Sequence, residues 1–140
     1  MKHLAILLVC LVSFQFAKAQ DSTKTYSITV KINKVLSDKG HILMGLHDKN
    51  TFMKGKGIQN AKVDIVDGKC TYTFTDVTPG TYAVMVLHDA NDNQKMDFAD
   101  NGMPQENYGT SNNKMNFGPP QFSDAQFDLV DKDLELEIKF

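Results

Sequence analysis

Apolar and polar residues alternate over several stretches of this chain, and a period of two is compatible with few local structures. Residues 134–140 place Leu, Leu, Ile and Phe at every second position, between charged residues. Residues 26–32 and 70–75 repeat the pattern. Alternation puts successive side chains on opposite faces, as in half-buried antiparallel strands. Since no segment beyond residue 19 has apolar residues at helical spacing, the sequence predicts an all-β domain.

Turn-forming residues divide the alternating runs into about seven short strands. Asp67-Gly68 is typical of a two-residue hairpin, so we expect the third and fourth strands to pair. About seven short strands in one small domain indicate a Greek-key β-sandwich of the immunoglobulin type. The expected strands cover residues 25–36, 41–48, 61–66, 69–75, 81–88, 125–130 and 133–140.

The first nineteen residues have the pattern of an export signal. A short basic start precedes a mostly apolar stretch over 4–16, and Ala17-Lys18-Ala19 is a small-x-small cleavage signal. The stretch is too short to span a bilayer comfortably, and no later segment could cross one. We therefore predict an exported protein, periplasmic or secreted, in which 1–19 is the signal peptide and 20–140 forms a single domain.

Charge and cysteine content exclude several classes of partner and site. The sequence has 15 basic and 17 acidic residues, and every basic one is Lys. Without a basic stripe to neutralise phosphates, nucleic acid is excluded as a partner. Removal of the signal peptide leaves Cys70 as the one cysteine, which rules out an internal disulfide or a thiolate-rich zinc site.

Two predicted strands do not alternate. Residues 42–46 and 82–87 are apolar on both faces, as in strands covered on both sides. In a two-layer sandwich only the inner faces are buried, so another segment must cover the outer face. The excursion over 89–124 lacks periodicity but is rich in Met, Phe and Tyr. We expect it to pack as an ordered flap across the outer sheet.

The excursion begins with a run in which oxygen-bearing residues recur at the spacing of a calcium loop. Side chains would supply ligands at the first, third, fifth, ninth and twelfth places, and a backbone carbonyl at the seventh. The predicted Ca²⁺ ligands are Asp89, Asn91, Asn93, Lys95 (through its carbonyl), Asp97 and Asp100.

Two positions depart from the calcium loop of an EF-hand. Gln94 stands where that loop has Gly, and Asp100 is one methylene shorter than the usual Glu, for which Glu106 could substitute. The alternative interpretation is that Asn and Asp form the turns of a loop without a metal.

Other candidate sites are weaker. His47 and His88 each end a predicted strand before an Asp, and two imidazoles beside carboxylates could hold Zn²⁺ or Cu²⁺. Structural hydrogen bonds to loop backbone are the alternative. Cys70 shares an apolar strand face with Tyr72 and Phe74, which favours a core position over a nucleophile. No nucleophile elbow or phosphate-binding glycine motif occurs, so no catalytic residue is predicted and a hydrolase ranks last.

Residues 108–113 and 117–120 combine aromatic residues with Asn, Gly and Pro. Polar amides beside aromatic rings are found in sugar and peptide sites, so a protein or glycan ligand is one interpretation. We favour the other, in which the Asn side chains satisfy the backbone of a tightly turned flap.

The motif string over 79–125 carries a family resemblance. It includes Pro79-Gly80-Thr81-Tyr82, Leu87-His88-Asp89, Ser111-Asn112-Asn113 and the run over 117–125. This string resembles the bacterial domain-of-unknown-function 2141 family. The resemblance implies a small exported protein with a signal peptide and no assigned enzymatic activity.

The order of strands and turns is also similar to prealbumin-like and collagen-adhesin B-type repeats. Some of those adhesin repeats carry an Asx-rich calcium loop after the corresponding strand, with Gly where this chain has Gln94. Together, the residues and the resemblances predict an exported, non-catalytic binding or scaffold module of the cell envelope with a calcium loop over 89–100.

Overall fold

The computed structural model describes residues 23–140 and contains eight strands in two sheets. The predicted signal peptide and its cleavage site lie outside these residues. Within them, none of the helices has the length and apolar character needed to cross a bilayer. The strands are β1 (Tyr26–Ile32), β2 (His41–His47), β3 (Gln59–Val63), β4 (Cys70–Val77), β5 (Gly80–Asp89), β6 (Tyr108–Thr110), β7 (Phe127–Leu129) and β8 (Leu134–Glu137).

The smaller sheet has three strands in the order β4-β1-β8. β1 and β4 are antiparallel, whereas β8 runs parallel to β1 with Ile28 opposite Leu134. The prediction of purely antiparallel strands is therefore wrong for β8. Alternation fixes which residues of 134–137 face inward, but it is the same for either strand direction, so the sequence pattern could not reveal the parallel pairing.

The larger sheet has the order β3-β2-β5-β6, and β7 joins it beside β5. Ten-residue β5 pairs with β2 along one edge. Along its other edge it pairs with β7 near its start and with β6 near its end. The sequence pattern does not predict β6, because a strand of three residues, Tyr108–Thr110, is too short for a period of two to be recognised.

The predicted hairpin between β3 and β4 is present only as a turn. Val66 and Lys69 exchange two backbone hydrogen bonds, of 2.9 and 3.0 Å, across Asp67-Gly68. Both turn residues have positive φ, 51° and 69°, as a tight hairpin turn requires. Beyond the turn β3 pairs with β2 and β4 pairs with β1. The pairing prediction is wrong, because β3 and β4 take different partners and so belong to different sheets.

The two sheets enclose one apolar core. Inner-face residues of both sheets are almost fully buried, with Ile28, Phe74 and Val84 all at 0 % exposure. Burial of each such side chain contributes about 1.5–3 kcal/mol relative to an exposed position. This arrangement confirms the predicted all-β sandwich; the only helical pieces described are a 3₁₀ turn, Ser111–Asn113, and the one-turn α-helix α1, Phe122–Ala125.

The segment that links β6 to β7 is held by side-chain hydrogen bonds to backbone. Buried Ser111 accepts the Val84 N–H at 3.0 Å and donates to the Ala125 carbonyl. Asn112 donates to the Gln126 carbonyl at 2.9 Å, and Asn113 to the Glu137 carbonyl at 2.8 Å. The Asn112 and Asn113 amides thus satisfy irregular backbone, as the preferred interpretation expects.

Candidate functional site

The predicted calcium loop begins at a fully buried carboxylate. Asp89 is the last residue of β5 and has 0 % exposure. Its Oδ1 accepts the Asn93 N–H at 3.0 Å and its Oδ2 accepts the Gln94 N–H at 2.7 Å. Buried charge is costly unless it is satisfied, and these two backbone donors meet part of that need. They also wrap the chain around the Asp89 side chain.

Two further predicted ligands, Asn91 and Asn93, contact Asp97. The Asn91 amide donates to Asp97 Oδ2 at 2.6 Å, and the Asn93 amide lies 2.9 Å from both Asp97 oxygens. The Lys95 N–H donates to Asn93 Oδ1 at 3.0 Å. The loop thus brings the first, third, fifth and ninth places of the predicted ligand set into one hydrogen-bonded group.

The twelfth place is the exception. Asp100 is exposed and lies in a small hairpin closed by the Phe98–Pro104 bridge. Within residues 23–140, none of the loop's hydrogen bonds involves the Asp100 carboxylate. Glu106 returns to the loop instead: its carboxylate accepts the Ala90 N–H at 3.0 Å and the Asp97 N–H at 3.3 Å. The substitute named from the sequence is therefore the residue that the structure brings to the group.

Gln94, the residue at the glycine position, has a φ of 63°. The left-handed conformation that a calcium loop requires at its sixth place is therefore present without glycine, at an energetic cost of about 1 kcal/mol or more. The two hydrogen bonds made to Asp89 by the backbone at 93 and 94 hold this turn in place. The departure at position six does not prevent the loop from folding.

Asp92 anchors the loop to the rest of the larger sheet. Its Oδ1 accepts hydrogen bonds from Lys62 at 2.6 Å and from His41 at 3.0 Å. The Lys62 hydrogen bond, followed by the charges of Lys62 and His41, lowers the pKa of Asp92 below its ordinary value. This carboxylate is directed to the neighbouring strands and is not a member of the Asp89–Asp97 group.

The carboxylates alone do not form a metal cage. No group of three or more His, Cys, Asp and Glu side chains in residues 23–140 is close enough together to hold an ion. Calcium loops use amide and backbone oxygens in addition to carboxylates, so the predicted ligand set does not consist of carboxylates alone.

The predicted transition-metal pair is not formed. His47 pairs with Ala83, whereas His88 pairs with Ile42, five residues away along β2 or about 16 Å. His88 lies on the inner face, where Nε2 is 2.8 Å from the Lys39 carbonyl and the ring stacks on Phe140. His47 lies on the outer face, edge-on to Phe52. Opposite faces and opposite strand ends make a shared ion impossible, so this alternative is wrong.

Cys70 is a core residue, as predicted. Its side chain is 6 % exposed and packs within the main apolar cluster. Burial raises the pKa of the Cys70 thiol to about 11. Because the thiolate is the nucleophilic form, this thiol is unreactive near neutral pH.

A groove lies on the outer face of the larger sheet. Leu43, Gly45, Met85 and Leu87 form its floor, and its volume is about 1160 Å³. One end of the outer face is closed, because Phe52, Ala83 and Ala125 form a second buried cluster with α1. We call the remaining open part the outer groove.

The predicted flap therefore covers only part of the sheet. Phe122 packs on the second cluster, but Met103 is 62 % exposed and Phe117 is fully exposed. Seven residues within 94–104, together with residues 116–120, form walls of the outer groove instead of filling it. The expectation that the apolar side chains of 89–124 pack down on the sheet is wrong for these wall residues.

The comparisons with known proteins give a family but no activity. The family described as "Uncharacterized protein conserved in bacteria (DUF2141)" matches residues 30–137. The chain belongs to this family. Membership in the domain-of-unknown-function 2141 family confirms the resemblance carried by the motif string over 79–125. None of the curated proteins matches the chain.

Among solved structures, the chain is similar to a pilus-presented adhesin. The match covers 83 % of this chain and 27 % of the adhesin, with 15 % sequence identity and a TM-score of 0.27. The chain thus corresponds to about a quarter of that protein's length. A TM-score of this size carries no argument about fold or function.

Proposed function

We propose that this member of the domain-of-unknown-function 2141 family is an exported, non-catalytic binding or scaffold module whose Asx-rich loop binds Ca²⁺. The observation that supports calcium most directly is that the carboxylates of Asp89, Asp97 and Glu106 all accept hydrogen bonds from residues 90–97 of one loop. Within residues 23–140 none of these carboxylates has an ion-pair partner, so a divalent cation would balance their charge.

The group has acceptor capacity beyond its present hydrogen bonds. Each ionised carboxylate offers about four lone-pair sites, and Asp89 uses two of them on backbone N–H groups. A turn of the Asn91 and Asn93 amides would present their oxygens, rather than their nitrogens, toward Asp97. With the Lys95 carbonyl, the loop would then supply the six or more oxygens that Ca²⁺ requires.

The consequence of binding would be a fixed root for residues 90–106. This stretch carries the wall of the outer groove over 94–104 and returns to β5 through the hydrogen bond from the His88 N–H to the Asn107 carbonyl, at 2.8 Å. Calcium would therefore stabilise the native state by mass action and order the wall at the same time.

Thermal unfolding with EDTA or with calcium tests the proposal. With about 10 mM Ca²⁺ we expect the melting midpoint to rise by about 5–10 °C over the EDTA sample, given a Kd of about 10⁻⁴–10⁻³ M. Asp97→Asn should abolish the rise, since it removes a central ligand charge. Asp100→Asn, in the same segment but outside the hydrogen-bonded group, should leave it unchanged. An unaltered midpoint together with no calorimetric heat of binding would refute calcium.

A further inference from the structure

The outer groove is a large apolar site separate from the calcium loop. Its floor consists of side chains from the centre of the larger sheet, with Leu43 directly opposite Leu87 and Gly45 opposite Met85. At about 1160 Å³ it exceeds the range of about 300–1000 Å³ typical of small-ligand pockets. The floor and volume suit a long apolar ligand.

The walls add exposed apolar surface that the fold leaves uncovered. Met53, Phe98, Met103 and Phe117 are each at least half exposed, and all line the outer groove. Contiguous apolar surface of this kind marks binding sites. Four methionines, Met53, Met85, Met96 and Met103, line the groove outside the main core, and their flexible side chains can repack around an occupant of variable shape.

Gly45 and His47 shape the floor at the closed end. A Cβ on Gly45 would lie 2.5 Å from His47 Nε2, so the missing side chain makes room for the imidazole. His47 is 4 % exposed and its Nδ1 has no hydrogen-bond partner among the described residues. Burial lowers the pKa of His47, which keeps this end of the groove uncharged.

The charge of the lining is one-sided. Lys56, Lys62 and Lys95 line the outer groove, and among the described lining residues there is no Asp or Glu. Lys62 is paired with Asp92, whereas Lys56 and Lys95 form no ion pair within residues 23–140. In a chain with more acidic than basic residues, this lining is complementary to an anion.

The backbone beneath the floor argues against a peptide occupant. β2 pairs with β3 and β5, and β5 pairs with β2 on one edge and with β6 and β7 on the other. The hydrogen-bonding groups of the floor are therefore already used within the sheet. The amides of a peptide lying across this face would be left without strand partners, whereas an acyl chain has none to satisfy.

We propose that the outer groove binds a long-chain fatty acid, with the acyl chain on the Leu43–Leu87 floor and the carboxylate at Lys56 or Lys95. This site is separate from the proposed calcium loop, although residues 94–104 contribute to both. Binding should therefore be measured in EDTA, which also prevents calcium from precipitating the fatty acid, so that loss of the calcium proposal leaves the fatty-acid result interpretable.

Titration calorimetry with hexadecanoate, below its aggregation concentration, tests the site. We expect one molecule bound per chain. Leu87→Glu places a charge in the floor and should weaken binding by about tenfold or more. Val130→Glu places the same charge on an exposed apolar residue outside the groove and should have no effect. Because Leu87→Glu could unfold the sheet, the exposed wall variant Met103→Ser/Phe117→Ser serves as a second test and should weaken binding several-fold.

The head group is tested by changing ligand and protein together. Lys56→Gln/Lys95→Gln should weaken hexadecanoate binding by about tenfold and leave binding of the neutral hexadecanol within about twofold.

Three results would overturn the proposal. One is absence of hexadecanoate binding in EDTA, and another is equal binding by wild type and both groove variants. The third is occupancy of the groove by a polypeptide. It would be shown by an acidic apolar peptide that displaces hexadecanoate and binds more tightly, or by a wild-type dimer that Leu87→Glu makes monomeric.

Discussion

His47 is a buried titratable residue on the outer face of the larger sheet. Its ring is buried between Gly45 and Phe52, and Nδ1 has no hydrogen-bond partner in the described part of the chain. Desolvation lowers the pKa of His47 below its ordinary 6.5, against smaller opposing effects from the Thr51 backbone and the Asp48 carboxylate. The consequence is a neutral imidazole at neutral pH and a stability that depends on pH.

We predict that His47 weakens the fold as the pH falls. Because its pKa is lower in the folded than in the unfolded chain, the unfolded chain binds the proton first and stability declines below 6.5, until the folded pKa is passed. Urea unfolding between about pH 5 and pH 7 should show this decline, and His47→Asn should flatten it. Equal slopes in wild type and His47→Asn would contradict the prediction.

At the scale of elements, β5 depends on a side chain from outside any strand. It pairs along its second edge with β7 over residues 80–82 and with β6 over 85–87. Val84 lies between them, and its N–H donates to Ser111 Oγ instead of to a strand. The same hydroxyl donates to the Ala125 carbonyl in α1, so Ser111 joins the two short edge strands through the helix.

Removal of the Ser111 hydroxyl should therefore destabilise the protein. Ser111→Ala leaves the buried Val84 N–H and Ala125 carbonyl unsatisfied, at a cost of about 1–3 kcal/mol in the free energy of unfolding. Urea unfolding measures the loss, and amide exchange at Val84 should accelerate. Ser123→Ala, which removes an exposed hydroxyl in α1, should change stability by less than about 0.5 kcal/mol. Similar effects of the two substitutions would show that the Ser111 bonds are not made.

At the scale of the whole molecule, the C-terminal residues connect the two sheets. Ile138 donates its N–H to the Lys31 carbonyl of the smaller sheet at 2.9 Å and is 1 % exposed. A Cβ on Gly109 of the larger sheet would lie 2.7 Å from the Ile138 side chain, which shows how closely the layers approach. Asn113 bonds the backbone of Glu137 and Lys139 from the same side.

Ile138→Ala should accordingly cost about 2–5 kcal/mol of unfolding free energy, because it opens a cavity between the sheets. The control Val130→Ala truncates another β-branched side chain, at an exposed site, and should stay within about 0.5 kcal/mol of wild type. Denaturant unfolding compares the two. A small effect at Ile138 would mean that the C-terminus does not dock and that the parallel β1–β8 pairing is not formed in solution.

The sequence predicted those residues of the candidate site that lie close to one another in the chain. The spacing over 89–97 identified a loop whose side chains are linked by hydrogen bonds. This was predictable because residues so near in sequence must also lie near one another in space. Glu106 was named only as a substitute, because its arrival depends on the hairpin over 98–104. Nothing in the sequence marked Lys56 and Lys62 as groove residues, because their position at the groove depends on the pairing of β3 with β2.

The sequence by itself determined the β class, the faces of the alternating strands, the core position of Cys70 and the family. These follow from alternation and from a continuous motif string, both of which are written in neighbouring residues. The tertiary structure alone decided that β3 and β4 part into different sheets, that β8 runs parallel to β1, and that the outer face stays open. Those outcomes depend on which strands bury the most surface together. The alternation of apolar and polar residues does not specify them, because it is the same whichever strand is the partner and in whichever direction it runs.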